Sequence, residues 1–303
     1  MGFRPLRAVA LTVVGLLIWL SGLNLDAWGP WMFGVALLVG LPHGALDHVL
    51  ARHWRGWRGG WGQVRFHVAY LASMVGILVA WFFAPSAALT VFLLSAVWHF
   101  GETDVLHVTQ RGSRLALVVS RGFLVVIAPL HAHPEVSLQL LTAVTGTDAA
   151  RTLPLVFFGG FQFAWSVWAV HIAVLAVVLG WGERFVQNAL EATALAILVI
   201  AGGPLVGFPL YFVFWHTPDH LMAAARASSM SFRQVAWAVC PRTLGGLAVI
   251  GLLLLTLDSS LWAMATVWAI SALTLPHAFI VHYGLGTPIE TREKRVRRTR
   301  LTA

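Results

Sequence analysis

Cysteine is nearly absent. Cys240 is the only one in 303 residues, which excludes an intrachain disulfide framework and any structural metal site built on two or more thiolates. Charge is scarce as well: charged residues make up 11% of the chain, against roughly 25% in soluble domains, so no sizeable aqueous domain fits. The chain has no glycine-rich phosphate loop after a strand pattern, no low-complexity linker and no strong internal repeat. What remains is apolar, with 58% hydrophobic residues, 15 Trp and 18 Phe and a mean hydropathy of +0.79. That is the composition of a polytopic membrane protein. The net charge of +8 sits in short loops and a C-terminal stretch, so it reads as topology and not as a nucleic-acid surface.

Windows of about 20 apolar residues, broken by charges, Pro and Gly, predict ten spans near residues 7–24, 31–50, 64–83, 87–107, 114–133, 153–180, 186–202, 203–224, 243–258 and 260–283. The competing reading of the first, a cleavable signal peptide, lacks an Ala-x-Ala-like site before the next span. The seventh and ninth are the shortest, and a tight turn at Ala201-Gly202-Gly203-Pro204 has to separate two spans. Eight or nine spans are the alternatives. With ten spans and both termini cytoplasmic, every Lys and Arg except Arg121 and Arg151 falls on or beside the inner side. The amphipathic stretch Val136 to Val144 is expected at the outer interface, and residues 291–303 as a basic cytoplasmic tail. The expected architecture is one all-α transmembrane bundle over residues 1–303, in the cell inner membrane.

The residues that carry chemistry are histidines. His216 and His220 stand at i and i+4 inside an apolar run, hence on one helical face. Ionisable groups in a hydrophobic span are costly and mark a pathway, a pair or a metal. Related motifs occur as Pro42-His43-Gly44-Ala45-Leu46-Asp47, Trp98-His99-Phe100-Gly101-Glu102-Thr103-Asp104 and Leu275-Pro276-His277, each on an even-numbered span. Counting 1.5 Å per residue from the cytoplasmic ends puts His43, His99, His216, His220 and His277 at depths of roughly 6–12 Å. Five histidines from four helices are thus expected in one layer. Asp47, Glu102 and Asp219 follow a histidine at i+3 or i+4, and their expected role is to accept the second imidazole N–H. The bland alternative is mutual satisfaction of polar groups in a bundle core. Gly44 and Gly101 allow close helix approach, and Pro42, Pro218 and Pro276 should kink or break their helices and free carbonyls that need partners.

The other histidines are weaker candidates. His53 and His107 read as loop or interface residues, His67 as a span start, His131 and His133 as outer-side residues, and His171 as a hydrogen-bonded packing residue. By ligand type, iron, zinc, copper and nickel all stay open. Burial among Trp and Phe favours an apolar substrate entering from lipid, which suits a redox metal handling O2 better than hydrolytic zinc.

Taken in order, P-H-G-A-x-D, W-H-F-G-x-x-D, W-H-x-x-x-H and L-P-H resemble the Brp/Blh family of membrane β-carotene 15,15′-dioxygenases, over residues of about 31 to 285. The resemblance implies a non-haem Fe(II) oxygenase that cuts the central double bond of all-trans-β-carotene with O2 to give two retinal, supplying a rhodopsin. It maps the four histidine ligands onto His43, His99, His216 and His220. His277 falls near the site, and Asp47, Glu102, Asp104 and Asp219 support it. Asp219 stands where a basic or neutral residue is expected in relatives.

Two rival classes remain. A membrane di-iron desaturase or hydroxylase needs about twice as many clustered histidines, including paired His-His motifs, and the chain has no such pair. A metal or proton transporter, or a haem-binding subunit, would use the same histidines. Transport favours polar residues continuing through the outer half, which is almost wholly apolar here.

Overall fold

In the computed structural model the structure describes residues 4–22, 29–52, 57, 59–106, 114–146 and 160–285. Among them there are helices and no strand. In chain order these are α1 (Arg4–Ser21), α2 (Gly29–Gly44), α3 (Asp47–Ala51), α4 (Gly59–Phe83), α5 (Pro85–Asp104), α6 (Arg114–Gly122), α7 (Ala128–Ala132), α8 (Pro134–Thr145), α9 (Gly160–Leu179), α10 (Glu183–Gly202), α11 (Phe208–Tyr211), α12 (Thr217–Ala227), α13 (Phe232–Thr256) and α14 (Trp262–Gly284). Single π-helical turns join α6 to α7 (Phe123–Ile127), α10 to α11 (Gly203–Gly207) and α11 to α12 (Phe212–His216).

Eight stretches among the described residues are long and apolar enough to cross a membrane. One of them, Glu183–Ala227, has 45 residues and as a straight helix would reach ~67 Å, about twice a ~30 Å hydrocarbon core. It is not straight. Gly203 has φ 61° and ψ −163°, and a Cβ on Gly207 would meet the Leu198 carbonyl and the Val199 Cα, groups that an unbroken helix would hold ~12–14 Å away. The chain therefore doubles back at the tight turn expected there, which makes two spans of one. The 20-residue α5 is also long enough, although Glu102 and Asp104 lower its hydropathy. These two additions bring the count to ten. The ninth span, α13, begins at Phe232, well before the expected residue 243. Arg233, Gln234 and Arg242 interrupt the apolar run from which the start was expected, while Ser231 and Gln234 cap the helix reciprocally.

The polarity of the bundle runs opposite to that of a soluble protein. Leu255, Val177 and Phe83 are 87%, 84% and 79% exposed, whereas Asp47, His99, Glu102, Asp104, Arg121, His216, His220 and His277 are all buried. Only a lipid-facing surface makes that arrangement favourable. α1 is integral to the bundle, because a Cβ on Gly15 would lie 2.9 Å from the Leu198 Cα on α10. α8 turns Ser137, Leu141 and Val144 inward, and the Val144 carbonyl accepts from Trp268 Nε1 of α14 at 3.1 Å.

Glycine sets the closest helix contact. A Cβ on Gly101 of α5 would meet the Val118 carbonyl of α6, and one on Gly122 would meet the Val97 carbonyl of α5. Backbones packed on each other this tightly cannot admit a methyl group without separating. Gly101→Ala is therefore expected to lower stability in detergent by about 1–3 kcal/mol, while Gly76→Ala, with open space around its α position, leaves it unchanged or slightly raised. Thermal unfolding of the two variants beside the parent checks this.

Candidate functional site

Four imidazoles from three stretches of chain meet in the interior. α5 supplies His99, the π turn before α12 ends on His216, α12 supplies His220, and α14 supplies His277. Ring centres are 5.1 Å apart for His99 and His216, 6.0 Å for His99 and His220, 4.8 Å for His99 and His277, 5.9 Å for His216 and His220, and 5.0 Å for His220 and His277. Imidazoles sharing one ion at a metal–nitrogen distance of ~2.1 Å have ring centres roughly 4.5–6.5 Å apart, so the rings stand at the spacing of a shared centre. Their nitrogens do not yet converge: among the described residues no three His, Cys, Asp or Glu side chains are arranged to hold an ion as they stand. His43 lies on α2, one residue before its last, Gly44, and its side chain is outside the described set. The backbone beside it reaches the cluster, since a Cβ on Gly44 would lie 3.8 Å from His277 Nδ1 and one on Gly40 would press on the Phe212 ring.

The i, i+4 face predicted for His216 and His220 is seen as near-parallel rings, 15° apart in plane. The turn that carries them is shaped by Pro218, which has no N–H for the Phe214 carbonyl. That freed carbonyl accepts from Arg7 of α1 at 3.4 Å. Pro42 lies two residues before α2 ends, whereas Pro276 is taken up inside α14, which runs on to Gly284. Pro276 bears out neither a break nor an early stop.

The carboxylates serve other helices than their own. Asp47 was expected to face His43; its described partners are His277, whose Nδ1 donates to Oδ1 at 2.7 Å, and Tyr70, whose hydroxyl donates to Oδ2 at 2.9 Å. Glu102, expected to face His99, instead accepts from His282 Nδ1 at 3.0 Å and faces Arg114 at 3.7 Å. Asp104 accepts from Arg121 Nε at 2.9 Å, and its other oxygen lies 3.8 Å from His216 Nδ1. Asp219, expected to face His216, is held from α1 by Arg4 and Arg7, each donating at 2.6 Å. The same arginines lie over the Trp215 ring at 5.6 and 5.1 Å. An acid at position 219 is thus matched by two N-terminal cations. Removing both with Arg4→Ala/Arg7→Ala is expected to lower stability by roughly 1.5–3 kcal/mol, the scale of lost charge-assisted hydrogen bonds, and to loosen metal retention. Unfolding curves together with metal content of the purified double variant check this.

Tyr70, Arg121 and His282 are contacts that the histidine motifs do not pick out. Arg121 has a signal, a lone charge within an apolar span. His282 is five residues from His277 and so leaves its helical face, and Tyr70 lies in no motif. The other described histidines have partners away from the cluster, His131 packing its ring on Phe163 at 4.2 Å. His171 shares a hydrogen bond with Ser120 Oγ at 2.8 Å, as a packing residue should. His133 Nε2 donates to the Ile200 carbonyl at 2.9 Å, His67 Nδ1 to the Gln63 carbonyl at 2.7 Å, and His48 Nδ1 to the Ala45 carbonyl at 2.9 Å. His53, His107 and the basic tail at 291–303 lie outside the described residues.

A cavity of about 420 Å³ runs past this cluster. His99 and His277 form part of its wall, and Phe92, Phe100, Phe208 and Phe212 are among the aromatic rings that make it overwhelmingly apolar. Volume and lining match a small-molecule site for a largely apolar ligand.

Comparison with known proteins agrees with this geometry. The chain is 27% identical over 286 residues to a probable β-carotene 15,15′-dioxygenase, Blh, of Halobacterium salinarum, covering 81% of each chain. It is 24% identical over 272 residues to a β-carotene 15,15′-dioxygenase from an uncultured marine bacterium, covering 86% of this chain and 95% of that one. No solved structure matches. The family model for β-carotene 15,15′-dioxygenases matches residues 33–283, a range that contains every histidine of the cluster and the cavity beside it. The chain belongs to the β-carotene 15,15′-dioxygenase family.

Proposed function

We propose that this protein cleaves the central 15,15′ double bond of all-trans-β-carotene with O2 at a non-haem Fe(II) site, releasing two all-trans-retinal. The observation that carries the reading is the meeting of a buried imidazole cluster with an apolar cavity whose wall includes His99 and His277. An ion channel or transporter would need a polar path in place of that lining. The donor set suits Fe(II): neutral imidazoles on separate helices, with Asp47 and Asp104 behind His277 and His216. His43, His99, His216 and His220 would hold the ion, and when bound it supplies binding and activation of O2. No carboxylate has to move a proton, so the acids are assigned to support.

The chain's own part is positioning. Phe92, Phe100, Phe208 and Phe212 give a long polyene apolar surface and exclude water, so that its middle bond rests beside the cluster. The Arg121–Asp104 pair, buried on both sides, fixes the carboxylate that faces His216. In this reading the protein lies in the cell inner membrane with both termini and the metal site toward the cytoplasm. The carotenoid arrives from lipid, and a rhodopsin receives the retinal. Incubating the purified, Fe(II)-loaded protein with all-trans-β-carotene is expected to form retinal under air and none under anaerobic conditions. Loss of carotenoid without O2, or no loss with it, contradicts the assignment.

A further inference from the structure

The Asp47–Tyr70 pair marks His277 as more than a neighbour of the site. His277 is buried, and its ring makes the two closest approaches among the cluster's described pairs, 4.8 Å to His99 and 5.0 Å to His220. Its Nδ1 lies 2.7 Å from Asp47 Oδ1. The other oxygen of the same carboxylate accepts from Tyr70 at 2.9 Å, so Asp47 is fixed at both ends and stays an acceptor toward the imidazole. A carboxylate that accepts the Nδ1 proton leaves Nε2 as the basic nitrogen of the ring and raises its donor strength. The rest of the surroundings agree. Gly44, next to His43, presents only a hydrogen where a Cβ would lie 3.8 Å from His277 Nδ1, and His277 and His99 share the cavity wall. A histidine placed only to pack a helix junction needs neither an anionic partner nor a tyrosine to orient that partner.

We propose that His277 is a further metal ligand of the centre, binding through Nε2, and that Asp47 and Tyr70 are positioning residues that set its tautomer and orientation. The proposal rests on the metal-site reading above. It changes the expected site from four imidazoles to five and leaves fewer open positions for O2 and water. It also gives Asp47 a role toward α14 and not toward its own stretch of chain.

Co(II) serves as the probe, because its visible absorption follows the number and type of its ligands. The measurements are the Co(II) dissociation constant, by chelator competition, and the absorption spectrum of the full-length protein in detergent. Parent, His277→Ala, Asp47→Asn, Tyr70→Phe and His216→Ala are compared, with helical content and elution profile as fold checks. Asp47→Asn and His277→Ala are expected to weaken Co(II) binding about 10–100-fold or more and to change the spectrum, with Tyr70→Phe shifting both less. His216→Ala is expected to lose the ion. Loss in His216→Ala with parent-like affinity and spectrum in His277→Ala and Asp47→Asn overturns the proposal and leaves the metal-site reading standing. Retention of parent-like Co(II) binding by His216→Ala overturns that reading itself. If His277→Ala does not fold, the near-isosteric Asp47→Asn decides: an unchanged spectrum and affinity there count against His277 as a ligand.

Discussion

His216→Ala is expected to reduce retinal formation to below about 1% of the parent. Altering a residue behind a ligand already costs 10–100-fold, and His216 is itself one of the cluster's imidazoles, packed against both His99 and His220. Its ring is fully buried, 5.1 Å from His99 and 5.9 Å from His220, with Phe100 4.5 Å away and Asp104 on its Nδ1 side. Alanine removes the donor and leaves Asp104 facing a void. Retinal quantified by chromatography, alongside bound iron in the same preparation, reads the effect. A variant that keeps its iron and more than a tenth of the parent rate would remove His216 from the centre.

The largest effect on stability is expected from Arg121→Met. Arg121 and Asp104 form an ion pair with side chains 5% and 1% exposed. Two charges inside a bilayer-facing bundle are tolerable only together, and deleting one strands the other at a cost of about 3–5 kcal/mol. The loss does not stay at the helix contact, because the stranded carboxylate is the one beside His216. Thermal unfolding in detergent is expected to show that destabilisation for Arg121→Met. The double variant Arg121→Met/Asp104→Leu recovers much of it, yet it does not recover activity, since His216 has lost its acidic neighbour. Equal stability of parent and single variant would show the pair to be solvated in solution.

The spans were legible because burial in lipid writes itself into sequence as uninterrupted apolar length. The seventh span ends and the eighth begins at the Ala201 to Pro204 turn expected between them, and α1, the continuous α6–α7 stretch and α14 start and stop within a few residues of their hydropathic windows. Hydropathy placed the start of α13 too late, because its first turns carry Arg233 and Arg242. It also has no way to show the π turns at Phe123, Gly203 and Phe212, which arise from local packing and proline. The convergence of His99, His216, His220 and His277 followed from span parity and depth alone. Which acid serves which imidazole did not follow: i+3 and i+4 spacing finds neighbours on one helix, whereas Asp47 reaches α14 and Asp219 reaches α1. Such pairings depend on how helices are rotated against one another, and a single sequence does not encode that in any local pattern.

The most direct test of the central claim is the product balance of the reaction. The Fe(II)-loaded protein is incubated aerobically with all-trans-β-carotene, and carotenoid consumed is compared with every aldehyde formed. Two retinal for each β-carotene, with no longer or shorter apocarotenal, is the result predicted for central cleavage beside the cluster. Unequal fragments, or consumption without retinal, would contradict it.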